Sequence, residues 1–465
     1  MAKLTLFWTD GLFFGLLLAM VLGLWRMSRR EHFRRPWRSV SGSRSAVISA
    51  TVLTVYLLIG ILDSVHFYPA ADRSGAGQFK TEALSLLDWW ASPLRSRVEK
   101  TYSAPLAVRG YARETVTGAD GTQRWSFPRL QYGGAHLQDP ERDWLGDVVA
   151  TGLLGMAKGG LLGIGLVALV ALLRARRRRV PWRDGLAVLR DEPGPSAWRW
   201  ALATLLAIAL LGGASAELSL KYHVFGTDKV GEDVLFQCLK SIRTGLLIGT
   251  LTTFVTLPLA LLLGIAAGYY RGWVDDVIQY LYTTLNSIPG VLLIAASMLL
   301  MQAYIARHES EFASLALRAD FRLLFLCLIL GLTSWTGLCR LLRAETLKLR
   351  EMEYIQAARA LGVWQGTILL RHIVPNVFHL VLISVTLDFS SLVLAEAVLS
   401  YINIGVDPAT ESWGNMINGA RLEMARDPVV WWSLSAAFVF MFGLVLAANL
   451  FADAVRDAFD PRRVE

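Results

Sequence analysis

Two carboxylates, Asp388 and Glu396, lie inside the apolar stretch 377–399, and that placement singles them out. A carboxylate near the centre of a hydrocarbon layer costs roughly 2.5 to 3.5 kcal/mol on insertion scales, so such groups turn to a bundle interior or a wet cavity. Two roles fit these residue types equally: the pair lines or gates a path for a polar solute, or it hydrogen-bonds to neighbouring helices and fixes their packing. Enzymatic chemistry has no such foothold. The chain contains no GxxxxGKS/T phosphate loop, no HExxH, and no Ser-His-Asp or paired Cys and His set, so neither catalytic nor metal-binding residues are expected. Cys238, Cys327 and Cys339 are far apart and read as small buried apolar residues, not as a disulfide framework or a metal pair.

The segment 353–376, EYIQAARALGVWQGTILLRHIVPN, is polar and rich in small residues although apolar runs flank it. From Glu345 to Leu361 the apolar positions Leu347, Ile355, Ala358 and Leu361 fall near one helical face. Ala357 and Ala358 leave a surface that another protein can approach closely, and Gly362 supplies the positive φ that ends a helix. Trp364 follows as an exposed aromatic of the kind that anchors interfaces, and Pro375 suits the first turn of the next helix. The segment reads as a docking element. On the residues alone, an amphipathic helix lying at the bilayer surface competes with that reading.

Positioning these residues requires a membrane. Hydrophobic residues make up 54% of the 465-residue chain, and 16 Trp suit two long interfaces. Nine stretches approach or exceed the roughly 20 apolar residues that cross a core about 30 Å thick: 4–25, 46–62, 148–173, 198–216, 244–268, 289–305, 322–342, 377–399 and 429–451. Arg26, Arg29, Arg30, Arg34, Arg35 and Arg38 follow the first stretch, and Arg174 with Arg176, Arg177, Arg178 and Arg179 follow the third. Both clusters should be cytoplasmic, which puts the N-terminus and residues 63–147 outside and the C-terminus inside. The net charge of +8 therefore reads as topology, and no nucleic-acid partner is expected. Lys3 alone precedes the first apolar run and no small-residue cleavage site follows it, which argues for a retained anchor.

The outer segment 63–147 carries Trp89, Trp90 and a hairpin turn at Asp120 and Gly121. An inert cap and a partner-docking module fit it equally. A Pro and Gly linker, 191–198, separates three accessory spans from six others. The expected organisation is two N-terminal spans with an Arg-rich loop (1–62), the outer segment (63–147), a third span with a basic linker (148–197) and a core (198–465) with its cytoplasmic loop at 343–376.

Motifs throughout that core resemble those of one family, in the family's order. Ala357 and Ala358, then Gly362 four residues on, then Pro375 thirteen further, resemble the EAA loop of ATP-binding cassette importer permeases, with Gln356 where a Glu often stands. The tail RHIVPN, 371–376, resembles the peptide and nickel branch. Between the fourth and fifth spans, HVFGTDKVGEDV is by itself a turn in which Thr227 or Asp228 caps the next helix. It resembles the outer signature HPxGTDxxGRDV at His223, Gly226, Thr227, Asp228, Gly231 and Asp233, and departs from it at Val224 and Glu232. GIAAGYYRGWVDD (264–276) is similar to AGYYGGWVD, and LAEAVLSYINIGV (394–406) resembles ILxEAxLSFLGLG with Tyr401 and Asn403 substituted. SWGNMI (412–417) and NLFADAVRDAFDPR (449–462) are similar to the same pattern, whereas residues 1–197 match nothing in the short family form.

The resemblance implies an all-α polytopic permease subunit of the bacterial inner membrane, carrying peptides or, as similar permeases do, nickel chelates and other small polar solutes. It implies a second homologous permease subunit, two ATPase subunits that bind ATP and Mg, and an extracytoplasmic solute-binding protein. Apart from membrane lipid, no cofactor is expected on this chain. Two other readings predict different behaviour: an ion-coupled secondary transporter using Asp388 or Glu396, and a membrane-anchored sensor or enzyme using 63–147.

Overall fold

Helices much longer than a bilayer needs organise the chain. The computed structural model describes residues 3–27, 31–69, 83–117, 123–178, 197–312 and 314–459. Its first part holds β1 (Lys3–Thr5), α1 (Trp8–Met27), α2 (Glu31–Gly42), α3 (Arg44–Ser64), β2 (His66–Tyr68), β3 (Leu84–Ser85), α4 (Leu86–Trp90), α5 (Ser92–Ser96), β4 (Glu114–Thr117), β5 (Gln123–Ser126) and α6 (Pro140–Arg178). Then follow α7 (Ala197–Ser219), α8 (Val234–Tyr270), α9 (Trp273–Ser287), α10 (Gly290–Arg307), α11 (Leu315–Arg350), α12 (Glu353–Ala360), α13 (Gln365–Ile368), a π-helical turn (Leu369–Ile373), α14 (Val374–Tyr401), α15 (Trp413–Glu423) and α16 (Trp432–Phe459).

Among the described residues, seven helices are long and apolar enough to cross a membrane. The two remaining expected stretches coincide with α1, whose apolar part Trp8–Gly23 is shorter, and with α11, which carries Asp320, Arg322, Arg340 and Arg343. At 1.5 Å per residue, α6, α8 and α11 each run for more than about 50 Å, so their ends project well beyond a core of about 30 Å. The amphipathic helices α2, α9 and α15 were not expected, because they are too short and polar to register as apolar runs. The hairpin was: β4 and β5 pair antiparallel from Glu114↔Ser126 to Thr117↔Gln123. Its turn at Asp120 and Gly121 lies outside the described residues, as do linker residues 191–196, Arg29, Arg30, Arg179 and the motif's last residues 460–462. All three cysteines are free and buried.

The chain divides into two compact units, one of residues 1–4, 40–243 and 411–447, the other of residues 5–39, 244–410 and 448–465. In the first, α6 and α7 pack at glycine. A Cβ added at Gly155 would stand 2.5 Å from Gly213 O and 2.8 Å from Ala214 Cα, and Gly159 faces the Ala209 backbone just as closely. Small residues at four-residue spacing let two membrane helices meet backbone to backbone. Lys158 and Glu217 tie the same pair at 2.8 Å. At the end of α3, Asp63 accepts from Ser85 Oγ at 2.7 Å, and Ser85 with Asp88 forms the capping box of α4.

In the second unit, α8 meets α11 through Gly264 and Gly268, where an added Cβ would lie 2.8 Å from Cys339 O and 2.7 Å from Arg343 O. Asp320 of α11 accepts from the Trp8 amide at 3.0 Å and the Thr9 amide at 3.4 Å, and from the Thr9 hydroxyl. It acts as the N-cap of α1 from a different helix, satisfying amides that would otherwise be orphaned. Both helices therefore begin at the same end.

Candidate functional site

The loop after α11 is built from the inside out. The helix stops at Arg350, and α12 starts afresh at Glu353 behind an extended Met352. This break corrects the expectation of one helical face from Glu345 to Leu361. Ile355 is fully buried in a cluster with Tyr269, Trp335, Leu342, Ile368, Ile373 and Val377, and Ala358 packs against it. Leu361 points away and is 83% exposed. Gly362 has φ +74; its amide donates to Arg359 O at 3.0 Å and the Val363 amide to Ala358 O at 3.1 Å. Those two bonds are a Schellman cap, which consumes the last carbonyls of α12 and needs a left-handed residue at Gly362.

Trp364 follows, 74% exposed, its indole lying where a side chain at residue 366 would be, a position Gly366 leaves open. Tyr269 is the post on which the loop is mounted. Its carbonyl accepts from Arg350 Nη1 at 2.7 Å, and the Arg359 guanidinium sits 4.7 Å above its ring. Arg343 grips Asp275 with two bonds of 2.6 and 2.7 Å, the bidentate geometry that fixes orientation as well as distance. Pro375 stands in the first turn of α14, as expected, and the π turn Leu369–Ile373 leads into it, so that the helical run Gln365–Tyr401 is continuous. A proline within a helix lacks a donor and crowds the preceding turn, and the wider π turn accommodates both.

The two carboxylates of α14 part company. Glu396 is 2% exposed and accepts from Ser400 Oγ at 2.7 Å, within its own helix. Asp388 is half-buried and lines a cavity of about 50 Å³ with Thr253, Thr256, Ser334, Ser391 and apolar neighbours. Sequence reasoning missed those hydroxyl residues and also Arg322. The latter is buried, donates from Nε to Gly405 O at 3.2 Å and lies 3.7 Å from Asp407. Nothing in the local sequence marks it, since its partners are distant along the chain.

The outer signature is a compact knot. Its six residues come together, but Asp233, not Thr227 or Asp228, caps α8, accepting from the amides of Leu235 at 2.9 Å and Phe236 at 3.3 Å. Asp228 instead closes the turn, taking the amides of Val230 and Glu232 at 2.9 Å each. Thr227 bridges to residues 101–103, donating to Thr101 O at 2.9 Å and accepting from the Ser103 amide at 2.7 Å. Gly226 and Gly231 both have positive φ, and the carbonyls of Ser103 and Glu99 occupy the space their side chains would need. His223 lies buried between Asp233, 2.7 Å from Nδ1, and Glu99, 3.6 Å from Nε2. Burial lowers the His223 pKa, but the two carboxylates outweigh it and hold the ring up at about 9. Burial likewise opposes ionisation of Glu99, but His223 and the amides of Gln131, Tyr132 and Gly133 hold its carboxyl down at about 2. Glu99 was not foreseen; no spacing rule joins it to a histidine so far along the chain.

Long apolar helices and a capped, exposed loop are features that fit a membrane permease. The family described as binding-protein-dependent transport system inner membrane component matches residues 260–465. The glutathione transport system permease protein GsiD of Pectobacterium atrosepticum is 30% identical over 312 residues, covering 64% of this chain and 96% of the relative. The oligopeptide transport system permease protein OppC of Mycobacterium bovis is 31% identical over 239 residues, 51% of this chain and 76% of the relative. The dipeptide transport system permease protein DppC of Lactococcus lactis is 30% identical over 243 residues, 52% and 65% respectively. The chain belongs to the binding-protein-dependent transport system inner membrane component family. It is a multi-pass inner-membrane permease of an ATP-binding cassette importer, in which separate ATPase subunits hydrolyse ATP and a binding protein takes part.

Proposed function

We propose that the chain forms half of the translocation path of a peptide importer, beside a second homologous permease and above two ATPase subunits that hold ATP and Mg, with an extracytoplasmic protein delivering the solute. The relatives named for glutathione, oligopeptides and dipeptides support that cargo class. In this reading nine helices cross the membrane, with the N-terminus and 63–147 outside and the C-terminus in the cytoplasm. Residues 198–465 form the transport core, and 1–62 and 148–197 its accessory spans.

One observation carries the coupling role: α12 buries Ile355 in the helix bundle while presenting Leu361 and Trp364 to whatever lies beyond. A rigid mount with an exposed aromatic tip transmits force as a lever, so closure of the ATPases would tip the bundle between two access states. Ala357, Ala358, Gly362 and Trp364 shape the tip, and Pro375 with the π turn forms its return into the membrane. Asp388 lines the path; Glu396 keeps α14 packed. Purifying Trp364→Ala with its partners tests this. Loss of the ATPase subunits from the assembly is expected, and retention at the wild-type ratio would overturn the lever.

A further inference from the structure

Asp388 is an ionisable group with nothing to neutralise it. Among the described residues no hydrogen bond or ion pair reaches its carboxylate, although it lies near the middle of α14. Its neighbours deepen the problem. Thr253 spends its hydroxyl proton on Gly249 O at 2.7 Å, Thr256 on Gly331 O at 3.3 Å, and Ser391 on Asp388 O at 2.8 Å. A hydroxyl whose proton is spent offers only lone pairs. The cavity thus presents a carboxylate and three acceptor oxygens, with Ser334 the one hydroxyl whose proton is uncommitted. Leu257, Leu338, Val385 and Leu392 complete its wall with apolar surface.

An acceptor lining of this kind, set half-buried among apolar side chains, calls for a cationic donor, and the apolar remainder calls for one with a hydrocarbon attachment. A primary ammonium has three donors and no acceptor, and its Cα provides the apolar part. At about 50 Å³ the cavity exceeds the roughly 10 to 15 Å³ that one water needs and has room for such a head group. We infer that the Asp388 cavity binds the free α-ammonium group of a peptide in transit. This rests on the permease reading above and adds a ligand contact inside the path itself.

The test uses the full chain in lipid nanodiscs and a hydrophobic carbodiimide, which modifies carboxyl groups in apolar surroundings, with the modified residue located by mass spectrometry. Modification at Asp388 is expected, absent in Asp388→Asn, and slowed by trialanine. At a peptide concentration about twice the dissociation constant, mass action leaves about a third of sites free, so the rate falls about threefold. N-acetyl-trialanine and sodium chloride at the same concentration should leave the rate unchanged. Protection by N-acetyl-trialanine to the same degree, protection by sodium chloride, or no modification of Asp388 at all would each overturn the assignment. ATP-driven trialanine uptake by the assembled wild-type complex separates the two claims. Absence of uptake refutes the peptide-importer reading, whereas uptake without ammonium-specific protection refutes the ligand assignment alone.

Discussion

Replacing Gly362 by Val isolates what the Schellman cap contributes. Nothing lies within 4 Å of a Cβ added at Gly362, so no clash arises and the whole cost is conformational. The native φ of +74 is one that a β-branched residue adopts at a penalty of about 1 to 3 kcal/mol. A penalty of that size lowers the ratio of capped to uncapped loop between about 5-fold and 150-fold. Ile355 keeps α12 anchored meanwhile, and a stability of about 5 to 15 kcal/mol leaves the bundle folded. The assay is solute taken up per ATP hydrolysed by the assembled transporter in proteoliposomes. Gly362→Val should lower the solute-to-ATP ratio, by up to the same factor of about 5 to 150, and Gly362→Asn should restore most of it, since Asn tolerates the left-handed region. Normal coupling in the Val variant would refute the reasoning. An Asn variant as defective as Val would show that the dihedral angle is not the cause.

Gly155→Val should separate α6 from α7, because the added carbon would stand 2.5 Å from Gly213 O; overpacking of that kind costs about 1 to 3 kcal/mol or more and lowers the thermal midpoint in detergent. Gly165→Val, with open space around it, serves as the control. Ile355→Ala removes the buried anchor of α12 and should cost about 2 to 5 kcal/mol, read as lower thermal stability together with weaker ATPase retention. The His223 cluster predicts a pH dependence: its raised pKa contributes stability in full below the ordinary value of 6.5 and loses it as pH climbs through about 9. Glu99, held at about 2 against an ordinary 4.5, contributes in full above 4.5 and loses it as pH falls through about 2. Melting temperatures should therefore be highest between pH 4.5 and 6.5 and fall toward alkaline pH, and His223→Gln should flatten that alkaline limb.

The spans were legible because a hydrocarbon layer imposes a long run of apolar residues, which few other constraints produce. The cap at Gly362 was legible for a related reason: only a few residue types accept its backbone angle. What could not be read were features that depend on partners far along the chain. Ile355 and Leu361 look alike in sequence, yet the break at Glu351 and Met352 buries one and exposes the other. Asp388 and Glu396 share a helix and a charge. What separates them is their surroundings, a cavity for Asp388 and burial beside Ser400 for Glu396, and no periodicity within α14 states that. The amphipathic helices α9 and α15 escaped for want of length, and Arg322 because its ligands are a carbonyl and a carboxylate more than eighty residues away.

The outer knot shows why the additional segment cannot be regarded as a detachable ornament. The match to GsiD leaves part of this chain outside it, yet residues around Glu99 and Ser103 occupy the very space that Gly226 and Gly231 keep open. Buried charges are tolerated only when paired, and Glu99 supplies one of the two carboxylates that keep His223 protonated. Thr227 spans the same junction with hydrogen bonds in both directions. A signature that reads as a turn and a helix cap is, in this protein, also the socket into which the segment's own backbone and one of its carboxylates are plugged. The departures at Val224 and Glu232 fit that arrangement. Val224 packs with Leu94 of α5 in an apolar cluster, and Glu232 accepts from Gln237 at 3.2 Å, so both serve contacts within this unit.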